Sequence, residues 1–144
     1  MTSGSPEPTA LMWIDGASSG NPGPSGIGVA CRTPEGKAIF ELSQSIGRAT
    51  NNVAEYTALI RGLEEAAGRG IRHVRVRTDS ELLARQMNGR YRVRHAALLP
   101  LHEQARRLTG RFSVCTIEHV PREANRDADR LARRASTSAP TGPS

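Results

Sequence analysis

MWIDGASSGNPGPSGIGVA, Met12 to Ala30, decides how the rest of the chain is read. An apolar run closes on one aspartate, Asp15, and the chain then breaks into glycine, serine and proline. Leu11 to Asp15 and Gly26 to Arg32 read as strands, and the punctuation between them as a reversal. Ala38 to Ser45 gives a third strand. It is reached through Thr33-Pro34-Glu35-Gly36, whose composition suits a hairpin turn. Three consecutive strands on short links pair as an antiparallel meander.

Beyond Ser45 the period changes. Tyr56, Leu59, Ile60, Leu63 and Ala67 recur at helical spacing, which predicts a helix over Asn52 to Gly68. Val74 to Thr78 alternates as a half-exposed strand. Ser80 to Met87 reads as a short helix, and Ala96 to Leu108 as another after an arginine-rich link. Phe112 to His119 is a strand. Asn125 to Ala135 is a last helix with Ala128, Leu131, Ala132 and Ala135 as its apolar stripe. Helical crossovers after the third and fourth strands favour parallel pairing there. The expected fold class is α/β: a mixed five-stranded sheet, antiparallel meander then parallel strands, with helices on both faces.

The 144 residues suit one domain, placed at 10–135. Residues 1–9 and 136–144 are rich in Ser, Thr, Pro and Gly and are expected as disordered tails. No apolar run approaches the ~20 residues that cross a bilayer, and the N-terminus has no basic-then-apolar signal pattern. The expectation is a cytoplasmic monomer with no membrane partner. Cys31 and Cys115 sit in apolar stretches without CxxC spacing, as free thiols do. The net charge is +6, and Lys37 is the only lysine. Arg69, Arg72, Arg75, Arg77, Arg85, Arg90, Arg92 and Arg94 crowd one segment, which points to a polyanionic partner. Gly20 to Gly28 lacks the GxxxxGK[ST] pattern of a P-loop.

Five acidic residues compete between structural and chemical roles. Asp15 ends a strand and suits an Asx turn into Gly16. Glu55 lies three residues after Asn52, the spacing of a capping box, and at the edge of the apolar stripe. Asp79 follows a strand and suits an N-cap, yet strand-end carboxylates also line clefts in α/β sheets. Asp127 and Asp129 flank the stripe of the last helix on opposite sides; periodicity does not choose between them, and Asp129 suits an i,i+4 pair with Arg133. If these carboxylates converge, either protons or a divalent cation must relieve their repulsion. Oxygen-only ligation suits Mg²⁺ or Mn²⁺, and a carboxylate cluster on a basic protein suggests metal-assisted phosphodiester cleavage.

IDGASSGNPGPSGIG, TNNVAEYTALIRGL, VRTDSELLARQMNG and NRDADRLAR together resemble ribonuclease HI, in order and spacing, from Met12 to Arg134. The resemblance implies a ribonuclease H-like fold and an endonuclease that cuts the RNA strand of an RNA–DNA hybrid. It implies two Mg²⁺ ions, with Mn²⁺ as a substitute, and products with 5′-phosphate and 3′-hydroxyl ends. The family's four catalytic, metal-binding carboxylates fall on Asp15, Glu55, Asp79 and Asp129, since Asn125 and Asp129 keep the family's spacing and Asp127 does not. Contacts to the hybrid fall on Gly16, Asn21, Asn51, Asn52 and Ser80, with Thr50 and Asn21 near the pocket for a DNA-strand phosphate.

Two features depart from the family pattern. Asn88-Gly89-Arg90-Tyr91-Arg92-Val93 leads straight to the next helix, so the basic protrusion of many relatives is missing, and Arg85 to Arg94 stand in its place. The short form resembles members of the family of which some also cut double-stranded RNA. The loop before the last helix is short, which puts His119 on the strand end; as an active-site helper it is the alternative reading, with Glu123 as a second one. A catalytically silent nucleic-acid-binding module of the same fold is the competing function.

Overall fold

The computed structural model describes residues 9–137. Nine elements follow the expected order, and a 3-10 turn is added before the last helix. β1 (Thr9–Ser18), β2 (Gly23–Arg32) and β3 (Ala38–Ala49) form the meander, followed by α1 (Asn51–Gly68) and β4 (His73–Thr78). Then come α2 (Glu81–Met87), α3 (Leu99–Thr109), β5 (Val114–His119), a 3-10 turn (Arg122–Ala124) and α4 (Arg126–Thr137). The sheet runs β3-β2-β1-β4-β5. β1 pairs antiparallel with β2 and parallel with β4, and β4 pairs parallel with β5, in line with the crossovers.

Several boundaries move from their expected places, each for a local reason. β1 runs on to Ser18, because Gly16 to Ser18 still pair with Ile27 to Ser25. β3 continues past Ser45 to Ala49 through a register shift opposite Ser25 and Gly26, with Gly47 at φ 80°. α3 begins at Leu99 rather than Ala96: Pro100 occupies the first turn, where its missing N–H costs nothing. β5 begins at Val114, not Phe112. Thr9 opens β1, and Ser136 and Thr137 extend α4, so the two expected tails are shorter at those residues; residues 1–8 and 138–144 lie outside the described residues.

The two faces of the sheet are covered differently. Met12, Ile14, Ile27, Val29, Val74 and Val76 are fully buried in one core with Leu59 and Leu63 of α1. Burial of side chains this size contributes roughly 1.5–3 kcal/mol each. On this side α1 packs on β1 and β2, and α3 packs on α1. On the other side α4 lies over β2, β1 and β3. Gly28 makes that approach possible: a Cβ there would sit 2.1 Å from the Ala128 carbonyl oxygen. Cys31 is buried, Cys115 half-buried, and both are free. No helix among the described residues is long and apolar enough to cross a membrane.

Candidate active site

Thr78 is level with Ile14 in the parallel pair, so the next residues, Asp15 inside β1 and Asp79 just past the end of β4, lie side by side. The expected strand end at Asp15 is not one, since Asp15 pairs with Gly28. α1 supplies the third group. Gly16 lets the helix come close, since a Cβ there would lie 2.4 Å from the backbone carbonyl carbon of Ala54. The Gly16 N–H then donates to Glu55 Oε1 at 3.2 Å. Ligand oxygens of Asp15, Glu55 and Asp79 all lie within 4.8 Å of one another. α4 brings the fourth: Asp129 lines the same cleft of about 780 Å³, with Gly16, Asn51, Asn52, Ser80 and Arg122 also on its walls.

The capping alternatives fail on geometry. Thr50, not Asn52, caps α1, its hydroxyl accepting from the Val53 N–H. Glu55 is thereby two residues too deep for a capping box. Ser80, not Asp79, caps α2, accepting from the Leu83 N–H at 3.2 Å. Asp127 turns away from the cleft and pairs with Arg32 at 2.6 Å. Asp129 faces the cleft and also accepts from Arg133 Nε at 3.0 Å, the expected i,i+4 pair.

Burial sharpens the electrostatics. Asp15 is 4% exposed and Glu55 8%. Both carboxyls are pushed well above their ordinary range, chiefly by desolvation. For Asp15 the charges of Glu55 and Asp79 add to the push. For Glu55 its hydrogen bonds with Asp15 and Gly16 oppose it. Glu55 Oε2 is buried with no hydrogen-bond partner among the described residues. An orphaned anionic oxygen among hard oxygen donors fits a divalent cation of the Mg²⁺ or Mn²⁺ kind.

The sequence matches the reverse transcriptase-like protein family over residues 14–135. It is also 40% identical to the solved RNase H1 of the archaeon Halobacterium salinarum, with a TM-score of 0.88 over 91% of this chain and 99% of that one. The chain belongs to the ribonuclease H1 family. A second ribonuclease H1, LC11, solved in complex with an RNA/DNA hybrid, is 40% identical with a TM-score of 0.86, covering 90% of this chain and 98% of that one. Bifunctional protein Rv2228c of Mycobacterium tuberculosis is 47% identical over 126 residues, which are 87% of this chain. The chain spans only 35% of that relative's length.

The remaining expected ribonuclease H1 site residues divide by position. Gly16, Asn51, Asn52 and Ser80 line the cleft. Thr50 and Asn21 stand behind its rim, where Asn21 Oδ1 accepts from the Asn51 N–H at 3.0 Å. His119 lies elsewhere, level with Thr78 and lining a depression with Glu81, Arg85, Asn88 and Arg90. Glu123 borders another cavity beyond the 3-10 turn. Sequence reasoning passed over Arg122 and Arg133 as cleft residues. Arg133 was legible only as a partner for Asp129, and a three-residue 3-10 turn leaves no periodic signal for Arg122.

Proposed function

We propose that the chain is a metal-dependent endoribonuclease that hydrolyses the RNA strand of RNA–DNA hybrids, leaving 5′-phosphate and 3′-hydroxyl ends. The observation that carries this reading is the trio Asp15, Glu55 and Asp79, with oxygens within 4.8 Å, in a cleft shared with Asp129. Family membership and the hybrid bound by LC11 support the substrate class. Asp15, Glu55, Asp79 and Asp129 would hold two Mg²⁺ ions, which supply water activation and stabilisation of the leaving oxygen.

The chain's own groups account for binding. The side-chain amides of Asn51 and Asn52 and the Ser80 hydroxyl line the cleft, where they can donate to and accept from a ribose 2′-hydroxyl. Gly16 admits the backbone of the substrate closely. Asn21 keeps its amide nitrogen, and Thr50 its hydroxyl proton, for a phosphate of the DNA strand at the start of α1. Arg122 offers a guanidinium to a phosphate on the cleft wall. We place the enzyme in the cytoplasm, as a monomer, where Cys31 and Cys115 stay reduced.

The test compares labelled hybrid, RNA duplex and DNA duplex at one fixed salt concentration, in Mg²⁺ and then in EDTA. Cleavage of the hybrid's RNA strand in Mg²⁺ alone is expected, and Asp15→Asn should bind hybrid without cutting it. Cutting of the RNA duplex as well would widen the substrate range. No cutting in Mg²⁺ or Mn²⁺ would leave a nucleic-acid-binding module instead.

A further inference from the structure

α4 covers β1 to β3, and beyond it Arg75 on β4 and Thr116 on β5 are exposed. In-register rows of the sheet therefore stand open there: Leu11, Arg75 and Thr116 in one, Trp13, Arg77 and Glu118 in the next. The Arg77 guanidinium lies over the Trp13 ring at 5.3 Å and is itself held by Glu118 at 2.8 Å, so the indole rests on a fixed base. Trp13 also lines a cavity of about 320 Å³ with Arg32, Glu123, Ala124, Arg126 and Asp127.

The position of this cavity gives it meaning. The 3-10 turn Arg122–Ala124 separates it from the carboxylate cleft: Arg122 lines the cleft, and the next two residues line the cavity. A single strand leaving the cleft over this turn meets Arg126 on the cavity wall. Arg126 makes no ion pair among the described residues, whereas Arg32 is committed to Asp127. An indole platform, an unpaired guanidinium and the Glu123 carboxylate, which makes no ion pair among the described residues, form a set for one nucleotide. The ring stacks on the base, Arg126 holds phosphate, and the carboxylate accepts from an exocyclic amine.

We propose that the cavity over Trp13 is a second nucleic-acid subsite, which takes an unpaired nucleotide with an exocyclic amine on its base, from a single strand continuing from a duplex in the cleft. The proposal rests on the hybrid-binding reading for the duplex but assigns a different surface to the overhang. Base stacking of this kind gives about fivefold or more in affinity per base.

Trp13 is the only tryptophan in the sequence, so intrinsic fluorescence reads this subsite directly. The full chain is titrated in EDTA, without cleavage, with a blunt hybrid and with the same hybrid carrying a short single-stranded adenosine extension. The extended hybrid should quench Trp13 and bind about fivefold or more tighter than the blunt one. Arg126→Ala, a change at an exposed position on the cavity wall, should reduce the gain. Equal affinities, equal quenching by the blunt and the extended hybrid, or an undiminished gain in Arg126→Ala would each overturn the subsite. Cleavage of the blunt hybrid in Mg²⁺ reads the cleft separately; its failure would sink the hydrolase reading while leaving the fluorescence result to stand on the binding data.

Discussion

Asn125 Nδ2 donates to the carbonyl oxygen of Ile14 at 2.9 Å. This buried contact joins residues 111 apart in sequence. Ile14 immediately precedes Asp15. The Asn125 backbone carbonyl in turn accepts from the Asp129 N–H at 3.0 Å. One residue therefore ties the start of α4 to β1 beside Asp15, and with it two of the four carboxylates. Asn125 is 1% exposed, so truncation leaves the Ile14 carbonyl without this partner and without water. Asn125→Ala should cost about 1–3 kcal/mol, measured by urea unfolding. Cleavage should fall even where the variant is fully folded, because the helix that carries Asp129 loses its anchor.

Asp15 and Glu55 make stability depend on pH in an unusual direction. Their folded-state carboxyls titrate above the ordinary values of 3.8 and 4.5, chiefly because of burial. Above those values the folded chain retains protons that the unfolded chain has released, so the slope of stability against pH is negative. Their contribution is complete below about pH 4 and is lost as pH rises through the folded-state values. In EDTA, the thermal midpoint should therefore drop between about pH 5 and about pH 8. Mg²⁺ binds the ionised carboxylates and stabilises by mass action, so the rise in midpoint on adding it should be larger at about pH 8 than at about pH 5. Asp15→Asn removes one of the buried acids and should flatten the EDTA profile. A midpoint rise of the same size at both pH values would show that the cluster does not titrate as described.

Asp15 and Asp79 were legible because each follows an apolar or alternating run, but that β4 lies beside β1 was left open, and Asp15 sits inside β1 rather than at its end. Glu55 was legible as helical but not as free of a capping role. Thr50 and Asn52 are both good N-caps; the choice falls to Thr50 because the Asn51 N–H is taken by Asn21, a contact from thirty residues away. Propensity carries no trace of such a contact. Asp127 and Asp129 were tied by periodicity for the same reason, and the tie breaks on the partner each meets, Arg32 on β2 or Arg133 on its own helix. The open face over Trp13 was illegible, because strand alternation says which residues share a face and not whether a helix covers it.

Gly16 separates packing from conformation. Gly16→Ala would press a methyl to 2.4 Å from the Ala54 carbonyl carbon and 2.5 Å from the Glu55 amide nitrogen. Backbone, not a flexible side-chain end, must then shift, at about 1–3 kcal/mol or more. The displaced segment carries Glu55, so cleavage should fall further than stability predicts. Gly36→Ala is the matched control: Gly36 has φ 93°, and a methyl added there would meet nothing within 4 Å. It should cost about 1–2 kcal/mol through backbone strain alone. Activity per folded molecule, from cleavage rates scaled to the folded fraction in urea titrations, should be unchanged in Gly36→Ala and reduced in Gly16→Ala.

Arg122 has the cleft's carboxylates opposite it and makes no ion pair with any of them among the described residues. A cation left unpaired beside four acids is placed for an anion that arrives from outside, and under the proposed function that anion is a phosphate. Arg122 is exposed and on a short turn, so Arg122→Ala should leave the unfolding free energy within about 0.5 kcal/mol of the parent. Removing one phosphate contact should weaken hybrid binding across all sequences and reduce the slope of log affinity against log salt by about 1. Arg122→Lys should restore that salt slope, since the charge returns. It should not restore full cleavage, because a single ammonium does not reproduce the bidentate fork of a guanidinium. A salt slope unchanged in Arg122→Ala would place the side chain outside the bound duplex.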